Sequence, residues 1–296
     1  MKDIFAIIVT YNPQLENLLS LVKQLNSQKC NAIIIDNSKE SSLIELSLNE
    51  SVDCKIISLG ENKGIAAAQN IGIQHALSHK AKKIIFFDQD SSISEEFINK
   101  LSSYIDDKCV NIVGPTFIDR DKGHYYPICH VTKKGLRKKI IISKDMQAFT
   151  TSITISSGTM VTSELLEKVG GMSEDLFIDY VDTEWCLRCF QFGELVHVLP
   201  EVTMVHAIGD NSIKILGVNV PVHSPLRRYY RVRNSFLLLR YDNVPKLLCF
   251  REIIFSFIHT AIIICTQKRK YSYLKYYFKG LFDGVMNKKG AIDESR

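Results

Sequence analysis

The stretch KKIIFFDQDSSI, residues 82–93, decides how this chain is read. Its apolar run at 84–87 passes straight into Asp88, Gln89 and Asp90. A strand covered on both faces is written as a continuous apolar run and not as an alternation. The segment therefore predicts a central strand that delivers two carboxylates where it leaves the core. One Asp is enough to cap a turn, so the second asks for another reason.

Working outward, IFAIIVTY and NAIIIDNS precede it as two further apolar runs, and CKIISLG reads as a fourth strand. Between the first two, NPQLENLLSLVKQLNSQ sets Leu15, Leu18, Leu19, Leu21 and Leu25 on one helical face, with Pro13 suited to the first turn. GENKGIAAAQNIGIQHALSHKA gives a second helix. Apolar strands separated by helices predict an α/β fold with a mostly parallel sheet flanked by helices. Thr10, Asn12, Asp36, Asn37, Asp88 and Asp90 all fall at carboxyl ends of strands, the edge where open α/β sheets bind ligands.

Further along, TTSITISSGTMV alternates as a strand should. SELLEKVGGMSEDLFIDYVDTEWCLRCFQFG then returns to helical spacing and is closed by Gly193. No internal repeat or low-complexity segment is present. No GxGxxG follows the first strand and no GxxxxGK[ST] occurs, which disfavours dinucleotide dehydrogenases and P-loop enzymes.

The balance of 46% hydrophobic and 23% charged residues over 296 positions is that of a globular chain. A net charge of +5 is mildly basic and gives no nucleic-acid signature. The eight cysteines are scattered among apolar neighbours, as reduced thiols would be. The CLRC pair, Cys186 and Cys189, has no second CxxC or histidine pair to complete a zinc site. The amino-terminal apolar run is too short for a signal peptide and reads as a first strand.

Four constellations carry chemistry. Asp88 and Asp90 suit a hard divalent cation held against a diphosphate, or else an Asx-capped turn. Asp179, Asp182 and Glu184 cluster beside Trp185. There a carboxylate next to an aromatic platform suits deprotonation of a sugar hydroxyl, and acidic residues equally suit a helix start with the tryptophan in the core. His206 ends a β-rich apolar run and reads as a structural histidine or a neutral metal ligand. Arg227, Arg228, Arg231 and Arg233, interleaved with Tyr229 and Tyr230, read as a grip on diphosphate or acidic headgroups, or as a solvated basic helix face.

Taken together, AIIVTYN, IIIDNS, GENKGIAAAQNIGI, FFDQD, SSGTMV, GGMSEDLFIDYVDTEWCLR, VHAIGDNS and RRYYRVRN resemble the family 2 glycosyltransferases. More narrowly, they are similar to bacterial rhamnosyltransferases of O-antigen and cell-wall polysaccharide assembly. The resemblance spans roughly residues 3–240. It implies a GT-A fold, with a nucleotide-binding half at 1–112, an acceptor-binding half at 113–240 and a helical extension at 241–296.

By position, the resemblance implies that Thr10 and Tyr11 line the nucleotide site and that Asp36 contacts the base. Asn62, Gly64 and Asn70 border the nucleotide. Asp88 lies nearer the ribose, while Asp90 binds Mg²⁺ or Mn²⁺ with help from His206. Arg233 is expected near the phosphates, Trp185 at the acceptor, and Asp182 as the catalytic base. The residue before that base is Val181, where the usual motif has Glu. The implied reaction is a single inverting displacement from a nucleotide sugar, dTDP-β-L-rhamnose or, by the same mechanism, another NDP-hexose, onto a hydroxyl of a lipid-linked oligosaccharide. A nucleotidyltransferase is the rival enzyme, but TYNPQLE lacks its Gly-rich basic loop. A non-catalytic binding module leaves the Asp clusters unexplained.

KLLCFREIIFSFIHTAIIIC followed by KRKYSYLKYYFKGLF joins an apolar helix to a Lys/Tyr-rich segment. The run at 253–267 is too short and too interrupted to predict a bilayer span. The pairing predicts peripheral attachment to an anionic membrane, at the cytoplasmic face of the inner membrane, or a helical hairpin packed on the core or on a second copy.

Overall fold

A computed structural model describes residues 3–40, 52–119, 123–206, 212–215, 218–267 and 269–293, with only the backbone described at 206, 212–215 and 218–221. The four apolar runs become β1 (Ile4–Thr10), β2 (Asn31–Asp36), β3 (Cys54–Ser58) and β4 (Lys83–Asp88). They are joined by α1 (Leu15–Ser27) and α2 (Gly64–Ser78). The chain continues through α3 (Phe97–Lys108), β5 (Ile112–Asp119), β6 (Ile128–Val131), β7 (Arg137–Ile140), β8 (Phe149–Thr151), β9 (Met160–Thr162), α4 (Ser163–Val169) and α5 (Val181–Gln191). It ends with β10 (Val196–His206), β11 (Ser212–Ile215), β12 (Val218–Pro221), α6 (Pro225–Leu237), α7 (Lys246–Thr266) and α8 (Lys270–Val285).

Eight strands form the central sheet in the order β3-β2-β1-β4-β9-β5-β10-β8. The first four pair in parallel, as does β5 with β10, whereas β9 and β8 run antiparallel to their neighbours. Alternate residues of β1 serve opposite faces. Ile7 joins Ile33, Ile84 and Phe86 in a core with α2 and α5. Ala6 and Ile8 join Ile34, Ile85 and Phe87 in a second core with α1 and α3. Two buried faces explain why these strands read as unbroken apolar runs.

Two elements differ from their sequence pattern. The alternating TTSITISSGTMV is strand only at its ends, and residues 152–159 cross the top of the sheet as a loop. The long helical pattern around Asp182 is two helices, α4 and α5, because the chain between them turns through left-handed positions at Phe177, Asp179 and Tyr180. Periodicity cannot see such a break, since the apolar spacing resumes on its far side.

Candidate active site

The parallel register brings Thr10 level with Asp36, and Val9 level with Asp88. All lie at the carboxyl edge of the sheet. Thr10 is fully buried and donates its hydroxyl to Asp36 Oδ1 at 3.1 Å. Ser38 adds its backbone N–H at 3.0 Å and its hydroxyl at 2.6 Å to the same oxygen. The other oxygen, Asp36 Oδ2, is buried and has no hydrogen-bond partner. A buried carboxylate oxygen left unpaired is costly and asks for a donor from outside the chain.

Asn37 ties the end of β2 to the start of α2, donating to Gly64 O at 3.1 Å and accepting from the Lys63 N–H at 3.1 Å. Just before the same helix, Asn62 Oδ1 accepts the Gly64 N–H at 3.0 Å. Gly64 sits at φ +86°, and a Cβ there would lie 2.6 Å from both the ring and the carbonyl oxygen of Phe177. Glycine is required so that α2 can start against the 177–180 turn. Ile65 N–H donates to Phe177 O at 2.9 Å across that contact.

At the end of β4 the Asp88 N–H donates to Ser157 Oγ at 3.1 Å, and Ser91 N–H closes a turn onto Asp88 O at 3.1 Å. Ser157 also meets Ser91 Oγ at 3.1 Å. The turn presents Asp88 half-buried and Asp90 exposed. Gln89 Oε1 accepts the backbone N–H of Tyr11 at 2.7 Å, locking the ends of β1 and β4 together. The Tyr11 side chain itself is exposed. A bridge between Ser92 and Val205 runs the end of β10 past this turn. The side chain of His206 lies outside the described residues.

Asp182 occupies the first turn of α5, half-buried, opposite Asp88. Burial, and then the charge of Asp88, push its carboxyl up to about 6, while hydrogen bonds from the backbone and hydroxyl of Ser156 work in the other direction. Ser156 Oγ in turn accepts from Gln69 Nε2 at 3.1 Å, and the partner oxygen Gln69 Oε1 is buried without a partner. A carboxylate titrating near 6 is ionised at neutral pH yet still basic enough to take a proton from a hydroxyl.

The turn that aims α5 is clamped from α6. Asn234 Nδ2 donates to Leu176 O at 2.8 Å, Ile178 O at 2.8 Å and Asp179 O at 3.1 Å. Arg227 and Arg231 pair with the Asp179 carboxylate at 3.3 and 3.6 Å. Left-handed non-glycine residues are costly and persist only where the surroundings over-determine them. These contacts supply that constraint.

Three residues that the sequence reading placed at the site are engaged within the chain. Arg233 does not reach for phosphates: it is fully buried, and its nitrogens are engaged by Asn234 and by the carbonyls of Asp175, Leu176 and Gly290. Both ends of the Asn70 amide bind residues 172–174: Nδ2 donates to Met172 O at 2.9 Å and Glu174 Oε1 at 2.8 Å, and Oδ1 accepts the Met172 N–H at 2.7 Å. Trp185 is no open platform for an acceptor. It is 3% exposed, within the core, and donates Nε1–H to Gly170 O at 2.9 Å.

Thr10, Asp36, Asn62, Gly64, Asp88, Asp90 and Asp182 are gathered along one edge. Gln69, Ser156, Ser157 and Asn234 were not singled out by sequence reasoning. Asn234 closes the quoted RRYYRVRN, and the two serines sit in SSGT, which read as strand.

Among the described residues no cluster of three or more His, Cys, Asp or Glu is placed to hold a metal by itself. The donors present nevertheless fit a hard cation that also uses substrate oxygens. Asp90 offers an exposed carboxylate, and the mutual repulsion of Asp88 and Asp182 marks a site short of positive charge.

An α/β sheet with Asp36, Asp88, Asp90 and Asp182 gathered at its carboxyl edge has its candidate site where open α/β sheets bind ligands. Residues 5–170 match the model of the glycosyl transferase family 2, and the chain belongs to that family. It is 56% identical, over 96% of both chains, to the dTDP-rhamnosyl transferase RfbF of Shigella flexneri. Among solved structures it superposes on S. aureus TarS 1–349 in complex with UDP with a TM-score of 0.60 at 15% identity, covering 96% of this chain and 80% of that one. GalNAc-T7 with UDP, GalNAc and Mn²⁺ gives a TM-score of 0.56 at 14% identity, covering 90% of this chain and 58% of that one. The fold is GT-A, and the chain is a glycosyltransferase.

Proposed function

We propose that this glycosyltransferase moves L-rhamnose from dTDP-β-L-rhamnose to a hydroxyl of a lipid-linked oligosaccharide, inverting the anomeric configuration. The donor assignment leans on the 56% identity to the Shigella enzyme. The observation that carries the mechanism is Asp182, a carboxylate held near pKa 6 at the sheet edge and facing Asp88.

In this reading the thymine ring N–H supplies the missing donor to Asp36 Oδ2, which Thr10 and Ser38 hold in place. Tyr11, Asn62 and the start of α2 at Gly64 line the nucleotide, and Asp88 lies toward the ribose. Asp90 would hold Mg²⁺ or Mn²⁺, in keeping with the Mn²⁺ in GalNAc-T7, and His206 remains a candidate second ligand. That cation, when bound, offsets negative charge on the departing nucleoside diphosphate.

Asp182 accepts the proton of the acceptor hydroxyl as its oxygen attacks the anomeric carbon from the face opposite the diphosphate. The new glycosidic bond forms as the carbon–phosphate-oxygen bond breaks, giving an α-L-rhamnoside and dTDP. Ser156 keeps the base ionised and oriented, and Gln69 holds Ser156.

The test is transfer by purified protein with Mg²⁺ or Mn²⁺ across a panel of sugar nucleotides, repeated with Asp90→Ala and Asp182→Asn. Turnover of dTDP-rhamnose to an α-linked product, lost with chelator and in both variants, is expected. Preference for another nucleotide sugar overturns the donor, and full activity in Asp182→Asn overturns the base.

A further inference from the structure

Helix α7 is built inside out. Its inward row is Cys249, Glu252, Ser256, Thr260 and Ile263, spaced at three and four residues and buried. Three of these five are polar, and they serve polar partners on the body of the protein, the buried Arg228 among them. Glu252 binds Arg137 at 3.2 Å and the Tyr180 hydroxyl at 3.0 Å. Thr260 Oγ1 accepts from Arg228 Nε and Nη2 at 3.0 and 2.9 Å, and Ser256 O accepts from the same guanidinium.

The outward row is Leu247, Phe250, Ile254, Phe257 and Ile258, between 47 and 64% exposed. A surface helix in water normally turns these faces the other way. The helix is long and apolar enough by composition to cross a membrane, with a mean hydropathy of 1.9. Its inner row, however, is committed to Arg228, Arg137 and Tyr180, so only the outer face is available to lipid.

Its charge says what covers it. Residues 246–296 hold ten Lys and Arg against four Asp and Glu, an excess of six, while the whole chain carries +5. All of the net positive charge therefore sits in this segment. Helix α8 adds an exposed row of Tyr271, Phe278 and Phe282 with Lys275 among them, continued by Met286 just past its end. A second copy of the same face would set one strongly positive surface against another. An anionic bilayer complements both the charge and the apolar row.

We propose that the outer face of α7, with the basic α8 beside it, seats this protein in the interfacial layer of an anionic membrane, parallel to its plane. Docking there is independent of sugar transfer, because the outward row contains no residue of the catalytic edge. The hydrophobic row supplies insertion and the lysines supply attraction that salt screens.

The test is co-sedimentation with vesicles of phosphatidylcholine alone or with one third phosphatidylglycerol, at low and high salt. Wild-type protein is expected to pellet with the anionic vesicles and to be partly released by salt. The triple variant Phe250→Glu, Ile254→Glu, Phe257→Glu is expected to lose about tenfold or more of that binding. The conservative Phe257→Trp gives a reading in a folded chain. Its emission is expected to shift to the blue with anionic vesicles, against a native Trp185 already buried. Wild-type protein left in the supernatant, undiminished binding of the triple variant, or an unmoved Phe257→Trp emission overturns the proposal. A lipid-free dimer abolished by the triple variant also overturns it and gives the face to a second copy.

Discussion

Asp88 raises the proton affinity of Asp182 across the active-site edge, adding its charge to a larger effect of burial. The pair is electrostatically unfavourable in the free enzyme, which is how a carboxylate becomes a base near neutrality. A cost in stability goes with it. The folded carboxyl titrates near 6 and the unfolded one near 3.8. The favourable contribution is therefore complete below the lower value and is lost as pH rises through the upper one. Asp182→Asn is expected to abolish transfer while raising stability by up to about 3 kcal/mol above pH 7. The gain should vanish near pH 4, where the wild-type group is protonated when folded. Thermal unfolding of both proteins between pH 4 and 8 measures this, and an unchanged difference across that range would refute it.

Ser156 opposes the rise by hydrogen-bonding the ionised form of Asp182. Removing its hydroxyl in Ser156→Ala should move the acid limb of kcat/KM, which reports the free enzyme, upward from about 6 by roughly 1 unit, since Asp182 must be ionised to act as the proposed base. Gln69→Leu acts one bond further away, and its smaller upward shift should leave KM for the donor nearly unchanged. A pH–rate profile of the three proteins gives the ordering, and a downward shift in either variant would contradict the assignment.

Much of this site was legible because strands buried on both faces leave an unmistakable apolar signature. Each of β1, β2 and β4 ends in residues whose polarity the core cannot explain, so Thr10, Asp36 and Asp88 stood out at once. Asp182 needed the resemblance, since acidic residues at a helix start are ordinary. What stayed hidden depends on chain reversals. Ser156 and Ser157 act from a loop that alternates like a strand. Asn234 works through the carbonyls of a turn more than fifty residues earlier, and nothing local announces that. Arg233 and Trp185 are of types that suit ligand binding, and their burial, which the sequence does not announce, is what sets an internal clamp apart from a ligand contact.

Trp185 tests that distinction. Trp185→Phe keeps the packing but leaves Gly170 O without the indole donor, 2.9 Å away in the wild type. A loss of about 1–2 kcal/mol is expected, with KM for the acceptor within about twofold of wild type. A large rise in acceptor KM at unchanged stability would return Trp185 to the acceptor site.

Asn234 is the sharper case, because it reaches Asp182 only through backbone. Its amide donates to three carbonyls in the turn leading into α5, where Phe177, Asp179 and Tyr180 all hold positive φ. Each such residue costs about 1–3 kcal/mol unless its neighbours hold it. Asn234→Ala removes the donors, which should cost about 2–3 kcal/mol in stability. It should also lower kcat by about a hundredfold as the turn relaxes and Asp182 loses its alignment. Asn234→Asp keeps the size but sets a carboxylate against those carbonyls, so it should be worse than Ala on both measures. Were packing alone responsible, Asp would be the milder change. Urea unfolding and steady-state kinetics of the two variants therefore separate a hydrogen-bonded clamp from a filled space.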